Sequence, residues 1–448
     1  MKSRIISIVI AGILLRLLMA FVIVPDQPQA EDGPSYAEQA EQILAGSAKH
    51  YYFPPGTAFV VAPAYAIAGR SVAVDHAIGV VLTSGVVLVS VWFAVILLGW
   101  SRPTLLVAII ASLYGHTVLT ATQISSQPLT AISVVLAVGL TIQCLRTWSW
   151  WRWLAASAAC TLAVLTRPAS GVIVASILIV LAIAAWKQRL SWTTLIGAWS
   201  MTAAVLVAAV VPVMRHNAAA GQGMTISTNN EWNLFISNTP FTPDYKTGHF
   251  GQRTFDQIDP EAAAWLSACI PHRNPAAATL EERQCMSNAA TTYMAHNPGR
   301  TLYRVSNRMR GYWGMDYTGA RMLQQSAGLS TKATAPLLAY EGGSYLLVIL
   351  AVLAAWVLRI QFTRAHLWLI VAIIIAAMLP YLVAFALPRF HLPVIPLVMP
   401  IAALALDRVL EAPRESMRTL LRSPLWWGMV IVVLALQVEH FYHLARLQ

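Results

Sequence analysis

Charged residues are scarce in this sequence of 448 residues, where they make up 11% of the chain while hydrophobic residues make up 57%. A soluble domain carries about 25% charged residues, so this composition excludes an ordinary soluble protein. Several apolar runs exceed the roughly 20 residues that a helix needs to cross a bilayer. The chain is therefore predicted to be an integral membrane protein.

The sequence also lacks the motifs of nucleotide-binding domains. It contains no Walker A sequence, no G-x-G-x-x-G fingerprint and no internal repeat. The formal net charge of +11 would suit nucleic acid, but the basic residues lie mostly in short loops between apolar runs. That distribution is the positive-inside signal of a membrane protein, and nucleic acid is excluded as a partner.

The apolar runs predict an all-α polytopic protein with about eleven transmembrane helices. The first run is long for a cleaved signal peptide, so it is predicted to be a retained span. The predicted spans cover residues 5–24, 74–98, 103–121, 128–145, 152–166, 170–186, 193–213, 337–357, 366–386, 391–406 and 424–441.

Basic loops alternate with loops that carry few charges, which places the N-terminus in the cytoplasm. The chain then divides into three parts. Residues 1–213 form a membrane module of about seven helices, residues 214–336 a mixed, mostly helical extracytoplasmic segment, and residues 337–448 a second membrane module of about four helices. The extracytoplasmic segment has no Asn-x-Ser/Thr sequon, which favours a bacterial inner membrane over an endoplasmic-reticulum membrane.

The extracytoplasmic segment holds two features with open interpretations. Cys269 and Cys285 either form a disulfide, which an oxidising compartment favours, or remain free thiols. Arg300, Arg304 and Arg308 recur at four-residue spacing on one face of a predicted helix. We expect a solvated or headgroup-facing stripe there, with a phosphate contact as the alternative.

The first loop, residues 25–70, is the first place to look for chemistry. It opens with the carboxylate pair Glu31 and Asp32, in a chain with only 19 acidic residues. Arg167 and Arg389–His391 follow predicted spans on the same outer face. Arg16 lies inside the first span, where its partner is either structural or a ligand phosphate. Arginine suits phosphate recognition because its planar fork of donors matches phosphate oxygens.

An acid pair with cations at a membrane surface is the layout that a lipid-phosphate sugar donor requires. The Asp32 carboxylate would take a proton from an acceptor hydroxyl as that hydroxyl attacks the anomeric carbon. The arginines would hold the leaving phosphate, and the single displacement would invert the anomeric centre. Glu31 is the alternative base. A metal bound by both acids ranks second, because no histidine or third acid lies nearby in the sequence.

These motifs resemble the GT-C superfamily of polytopic glycosyltransferases, closest to the family 39 type of protein O-mannosyltransferase and aminoarabinose-transferase relatives. The resemblance covers most of the chain. The matching stretches are Asp32-x-x-x-Tyr36, Tyr52-Phe53-Pro54-Pro55-Gly56-Thr57, Leu165-Thr166-Arg167-Pro168, Arg215-His216-Asn217, Asn233-Leu234-Phe235, Tyr293-Met294-Ala295-His296-Asn297-Pro298 and Arg389-Phe390-His391-Leu392-Pro393.

The resemblance implies a GT-C fold around a cavity at the outer leaflet, a polyprenyl-phosphate-sugar donor and an inverting transfer with Asp32 as the catalytic carboxylate. It also implies donor-phosphate contacts and a substrate cavity. The residues implied for the phosphate are Arg389, Arg167, His391, Arg16 and Arg215, and those implied for the cavity are Tyr36, Tyr52, Phe53, Pro55 and Asn217.

One departure from the aminoarabinose-transferase pattern leaves the donor and acceptor open. Tyr52 and Phe53 stand where those relatives carry a Glu-Lys pair. Two rival functions are a lipid-linked sugar transporter or flippase and a polysaccharide polymerase or ligase. A transporter would need polar residues along the midplanes of its spans. Only Arg16 is so placed, which favours an enzyme that works on one side of the membrane.

Overall fold

The structure is a computed structural model that describes residues 1–245 and 258–446, without the side chains of 364, 365 and 443–446. The described residues form helices and no strand, which confirms the predicted all-α class. The N-terminal membrane part contains α1 (Lys2–Leu18, continued by a π-helical turn to Ile23), α2 (Gly33–Leu44), α3 (Gly56–Ala68), α4 (Val72–Leu98), α5 (Arg102–Ser112), α6 (Gly115–Leu119), α7 (Ser126–Arg146), α8 (Trp150–Thr166), α9 (Gly171–Trp186) and α10 (Trp192–Ala219).

The remaining helices form the polar segment, residues 220–330, and the C-terminal membrane part. The polar segment contains α11 (Asn230–Ser237), α12 (Pro260–Ser267), α13 (Leu280–His296), α14 (Pro298–Tyr312) and α15 (Thr318–Ala327). The C-terminal part contains α16 (Thr331–Val357), α17 (Arg364–Val383), the 3₁₀ turn Pro388–His391, α18 (Ile395–Glu411), α19 (Pro413–Arg422) and α20 (Pro424–Arg446).

Within the described ranges, 8 helices are long and apolar enough to cross a membrane, so the chain is a multi-pass membrane protein. They correspond to eight of the predicted spans. The other three predictions fall on shorter elements. The predicted spans 152–166 and 391–406 correspond to α8 and α18, which have 17 residues each.

The prediction of one span over 103–121 is wrong, because α5 ends at Ser112 and the backbone is extended at Tyr114 before α6. The break lets Gly115 approach α16 closely. A Cβ atom on Gly115 would lie 2.6 Å from the Cα atom of Glu341. His116 then pairs with the Glu341 carboxylate, so a tertiary contact overrides the apolar pattern.

A second close approach joins the first loop to the end of α8. Helix α8 ends at Thr166 because Arg167 is extended before Pro168, as residues that precede proline usually are. Gly56, at the start of α3, packs on this end, and a Cβ atom there would lie 2.6 Å from the backbone of Leu165 and of Thr166. The first loop therefore lies beside Arg167.

The polar segment has its own apolar cluster around Phe235, Leu266 and Met286. A disulfide joins Cys269 to Cys285, whose Cα atoms lie 5.5 Å apart. Cys144 and Cys160 are buried free thiols within the membrane part.

The expectation of a solvated arginine stripe on α14 is wrong for two of its three members. Arg304 and Arg308 are each only 1% exposed, and backbone carbonyl groups accept hydrogen bonds from both. Arg300 remains exposed and pairs with Asp244. The stripe therefore ties α14 to neighbouring chain segments instead of facing water.

We expect the disulfide to stabilise the polar segment, because it closes a loop across a sequence separation of 16 residues. In the chain-entropy model such a loop contributes about 3 kcal/mol to the free energy of unfolding. Replacing Cys269 and Cys285 with alanine should lower the melting temperature and speed proteolysis of residues 220–330. A Cys144→Ala, Cys160→Ala variant serves as control. Equal protease resistance of the two variants would contradict the prediction.

Candidate functional site

A cavity of about 860 Å³ lies between the first loop, the ends of α8 and α17, the turn Pro388–His391 and the helices α11 and α14. It is the meeting point of parts of the chain that are far apart in sequence. Seven of the predicted site residues line it: Glu31, Asp32, Tyr36, Tyr52, Phe53, Arg167 and Arg389.

Hydrogen bonds to the α6–α7 connection hold the acid pair in place. The Gln29 amide group donates to the Thr122 carbonyl (2.8 Å) and accepts from the Ile124 N–H group (2.7 Å). The backbone N–H group of Ala30 donates to the Gln123 side-chain oxygen at 2.7 Å. These bonds fix the chain directly before Glu31, so the positions of the two carboxylates depend on a neighbouring loop.

The backbone and the helix start both turn the acid pair toward the cavity. Glu31 has a φ of 53°, a left-handed conformation that costs a residue with a side chain roughly 1 kcal/mol. Asp32 occupies the N-cap position of α2, yet its carboxylate does not cap the helix. Aspartate at this position usually accepts from the first-turn N–H groups. Here the carboxylate faces Arg389 instead.

Arg389 contacts both carboxylates with the two ends of its guanidinium group. Its Nη1 atom lies 3.4 Å from Glu31 Oε2, and its Nη2 atom lies 3.4 Å from Asp32 Oδ2. The Arg389 side chain is 10% exposed, whereas those of Glu31 and Asp32 are 32% and 35% exposed. The carboxylates therefore remain accessible from the cavity while one cation compensates both.

Arg167, in contrast, contacts neutral groups. Its Nε atom donates to Ser126 Oγ at 3.0 Å, and its Nη1 atom donates to the Tyr381 hydroxyl at 2.7 Å. Its guanidinium carbon lies 4.6 Å from the centre of the Phe390 ring. With the Gln127 amide oxygen turned toward the arginines, that oxygen accepts from Arg167 Nη2 (2.8 Å) and Arg389 Nε (3.3 Å). Gln127 thus links the two cations.

Two tyrosine hydroxyl groups lie on the Asp32 side of the cavity. Burial, and then the charge of Asp32, raise the pKa of Tyr36 to about 12. The same two causes raise the pKa of Tyr52. Both side chains are therefore neutral near pH 7 and can donate hydrogen bonds. The Phe53 ring lies 5.4 Å from that of Tyr36, so an aromatic wall stands beside the carboxylate.

Five predicted site residues do not line the cavity: Arg16, Arg215, Asn217, Pro55 and His391. Arg16 is fully buried and donates to the carbonyls of Gly12, Ala111 and Ser112 and to the Thr117 hydroxyl, which favours the structural alternative. Arg215 is exposed away from the cavity. Asn217 accepts from the Tyr51 N–H group and donates to the Thr225 carbonyl. Pro55 is buried, and its neighbour Pro54 lines the cavity instead.

His391 also lies outside the cavity, in a buried polar network below the Arg389 turn. Its Nδ1 atom bonds the Tyr312 carbonyl (2.8 Å) and its Nε2 atom lies 3.2 Å from Asp316 Oδ2. The Tyr114 hydroxyl donates to the same carboxylate oxygen at 2.7 Å. His391 thus anchors the turn that carries Arg389 and is not placed to bind a donor phosphate itself.

The charge of Asp316 is stabilised by this network. Burial by itself raises the pKa of the Asp316 carboxyl, but the imidazoles of His391 and His116 outweigh it and lower this pKa to about 2. The carboxylate form is therefore favoured in the folded protein. Asp316 is not part of any motif noted in the sequence.

Several cavity residues escaped the sequence analysis. They are Ser126, Asn230, Arg310, Tyr317, Arg321, Tyr381 and Glu439, among others. Polar residues beside helix ends resemble ordinary caps, so Ser126 at the start of α7 carries no distinguishing signal in the sequence. No group of three or more His, Cys, Asp or Glu side chains suited to a metal occurs among the described residues.

Asp316→Asn is expected to lower the free energy of unfolding by about 2 kcal/mol at pH 7. This value follows from the lowering of the Asp316 carboxyl pKa from 3.8 to about 2 in the folded protein. A lowered folded-state pKa contributes stability above the unfolded-state value, and that contribution is lost as the pH falls through about 2. The difference between variant and wild type should therefore shrink below pH 4 in melting experiments. An unchanged difference between pH 7 and pH 2, with exposed Asp26→Asn as control, would contradict this assignment.

Comparisons with known proteins agree with this architecture. No protein family model matches the chain, and no curated protein matches it by sequence. The crystal structure of ArnT from Cupriavidus metallidurans bound to undecaprenyl phosphate is similar, with 16% identity and a TM-score of 0.50 over 95% of this chain. The chain covers 63% of that ArnT chain.

Two further solved structures are similar to a lesser degree. The oligosaccharyltransferase from Archaeoglobus fulgidus, in complex with Zn and sulfate, has 12% identity and a TM-score of 0.45, over 98% of this chain and 52% of its own. Apo ArnT from Cupriavidus metallidurans has 13% identity and a TM-score of 0.39, over 88% of this chain and 77% of its own. The resemblance in the motifs and the likeness to undecaprenyl-phosphate-bound ArnT lead to one conclusion: this chain has the GT-C fold of polytopic membrane glycosyltransferases.

Proposed function

We propose that the chain is an inverting glycosyltransferase that moves a sugar from a polyprenyl-phosphate donor to a hydroxyl acceptor at the outer face of a bacterial inner membrane. The observation that carries the proposal is the arrangement of Asp32, Arg389 and Arg167 around one cavity. A carboxylate and two cations, one of them without an acidic contact partner, suit a reaction in which an anionic group leaves.

The two arginines are proposed to hold the donor phosphate. Arg389 is already compensated by the acid pair, whereas the hydrogen-bond partners of Arg167 are neutral side chains. A buried cation gains most from an added anion when no carboxylate compensates it. Phe390 and Tyr381 fix the plane of the Arg167 guanidinium group, so its donors are oriented before the ligand binds.

The polyprenyl chain is proposed to lie along the end of α17. The cavity wall there is formed by apolar side chains and includes Pro380, Val383, Phe385 and Leu387. This helix is one of the candidate membrane spans. A lipid whose phosphate lies at Arg167 would keep its hydrocarbon chain against this wall and in the bilayer.

The proposed chemistry is a single displacement. The acceptor oxygen forms a bond to the anomeric carbon as its proton passes to the Asp32 carboxylate. The bond between the anomeric carbon and the phosphate oxygen breaks, and its electron pair leaves with the polyprenyl phosphate. Arg167 and Arg389 stabilise the charge that develops on that oxygen. Attack from the opposite face inverts the anomeric centre.

Asp32 is preferred to Glu31 as the base because of what surrounds each carboxylate. The charge of Asp32 acts on Tyr36 and Tyr52, which face the main cavity. Glu31 also borders a small side pocket with Tyr317 and Arg321. A hydroxyl acceptor that enters the main cavity therefore meets Asp32 within a larger set of hydrogen-bonding groups.

Asp32→Asn is expected to lower the rate of transfer by about 10³-fold, because an amide cannot accept the proton. Binding of undecaprenyl phosphate should persist, since Arg167 is unchanged. Purified protein in nanodiscs would be tested with a panel of undecaprenyl-phosphate sugars and membrane extract as acceptor. Asp26→Asn, an exposed acid in the same loop, is the control. Full activity of Asp32→Asn together with loss in Glu31→Gln would assign the base to Glu31.

Arg167→Ala is expected to weaken binding of undecaprenyl phosphate by about 30-fold, because a charge-assisted hydrogen bond contributes about 2 kcal/mol. Arg215→Ala, an exposed arginine away from the cavity, should bind as the wild type does. Affinity can be measured by native mass spectrometry in detergent. Equal affinities for Arg167→Ala and wild type would remove Arg167 from the phosphate site. Lipid movement between leaflets without transfer of any sugar would instead favour a transporter.

A further inference from the structure

One wall of the cavity is formed by the start of α11. Asn229, Asn230 and Asn233 line the cavity there. Asn229 and Asn233 are separated by one helical turn, so their side chains lie on the same face of the helix. Unlike the first loop and the end of α8, this wall presents neutral amide groups to the cavity.

Asn229 combines burial with an unused amide group. It is 8% exposed, and its side chain makes no hydrogen bond within the described structure. Asparagine at an N-cap position normally accepts from a first-turn N–H group, but here the residue has α-helical dihedral angles (φ −92°, ψ −2°) and no capping bond forms. Because Asn229 lines the cavity, its amide group, which has no hydrogen-bond partner among the described residues, is available to a ligand or solvent group there.

Asn233, one turn further along α11, also has an amide group without a hydrogen-bond partner in the described structure. Its backbone continues the helix through a bond from its N–H group to the Asn229 carbonyl (3.0 Å), while its half-buried amide side chain has no protein partner among the described residues. The two amides together offer donors and acceptors to the cavity.

Contacts at both ends hold α11 rigidly in this position. The Thr228 N–H group donates to the carbonyls of Tyr51 (3.0 Å) and Tyr52 (3.2 Å), which ties the helix start to the first loop. At the other end, the Asn238 side chain donates to the Val383 carbonyl at 3.1 Å. The two amides are therefore pre-positioned and need no rearrangement to meet a ligand.

The back of α11 is fixed as well. Glu231 Oε1 lies 3.2 Å from Arg283 Nη1, so the acidic side chain of this helix is engaged away from Asn229. The Phe235 ring stacks on Trp265 with centroids 4.6 Å apart. The polar groups that α11 turns to the cavity are thus uncharged.

We propose that Asn229 and Asn233 form a subsite for the hydroxyl groups of a neutral sugar in the cavity that Asp32 and Arg389 also line. Hydroxyl groups both donate and accept, as amides do, whereas an anionic or cationic substituent would gain more from the charged wall. The tie between Thr228 and the Tyr52 backbone places this subsite beside the aromatic residues near Asp32. The proposal rests on the proposed function, because it assigns the sugar of the same reaction.

The test compares two probes with each protein: undecaprenyl phosphate alone, and undecaprenyl phosphate that carries a neutral hexose or pentose. The variants are Asn229→Ala and Asn233→Leu. The control is Asn288→Ala, which removes an exposed amide of α13. The ratio of the two affinities isolates the contribution of the sugar from that of the phosphate.

Each asparagine variant is expected to lower the affinity for the sugar-bearing lipid by about tenfold, as loss of one or two hydrogen bonds would. Affinity for undecaprenyl phosphate alone should stay at the wild-type value, and Asn288→Ala should change neither. If the affinity ratio is unchanged but the KM for the acceptor rises by a similar factor, the hydroxyl groups belong to an acceptor glycan.

Two results would overturn the subsite. One is an unchanged affinity ratio together with an unchanged acceptor KM. The other is a wild-type preference for a cationic amino sugar that both asparagine variants retain. Failure of the proposed function gives a different result, because the wild type would then bind neither lipid and transfer no sugar.

Discussion

The contact between Arg389 and the acid pair joins two parts of the chain that are separated by 357 residues. It brings three charged side chains together at one side of the cavity. One guanidinium group compensates Glu31 and Asp32, so neither carboxylate is left unpaired at the edge of a low-dielectric bundle. Arg167, in contrast, donates its hydrogen bonds to neutral side chains, as Arg308 does to backbone carbonyls and an amide. In the proposed reaction, that difference is what favours binding of the donor phosphate at Arg167.

The contact is possible only because both of its sides are held from behind. The first loop is fixed to the α6–α7 connection by glutamine side chains, and the Arg389 turn is fixed by the His391–Asp316 pair. The His391–Asp316 pair is almost fully buried, whereas Gln29 is half-buried. A site built in this way keeps its charged groups in place before a substrate arrives, which lowers the cost of reorganisation during the reaction.

The walls of the cavity also differ in the chemical groups that they present. The membrane part supplies Asp32, Arg167, Arg389 and the apolar surface at the end of α17, whereas the polar segment supplies the neutral amides of α11 together with Arg308, Arg310 and Arg321. A lipid-linked sugar has the same three chemical parts: a hydrocarbon chain, a phosphate and a set of hydroxyl groups. This correspondence connects the proposed reaction to the proposed sugar subsite, and it uses both parts of the fold.

The helical membrane class and part of the candidate site could be predicted from the sequence, because composition and the order of residues along the chain determine local structure. The scarcity of charge and the length of the apolar runs determined the helical membrane class, and the rarity of acids singled out Asp32. Arg167 and Arg389 were predictable because each directly follows a predicted span on one face. Motif resemblance then indicated the fold that the comparison with ArnT supports.

Only the tertiary structure decided which polar residues meet. Spacing showed that Arg304 and Arg308 share a helix face, but not that backbone carbonyls lie opposite that face. The break between α5 and α6 likewise depends on α16, more than two hundred residues later in the chain. A buried polar group is stable only when it has a hydrogen-bond partner. The sequence shows that such a partner is needed but does not identify it. Hydrophobic patterning therefore determined where the helices run, and long-range pairing of polar groups decided which of their ends form the site.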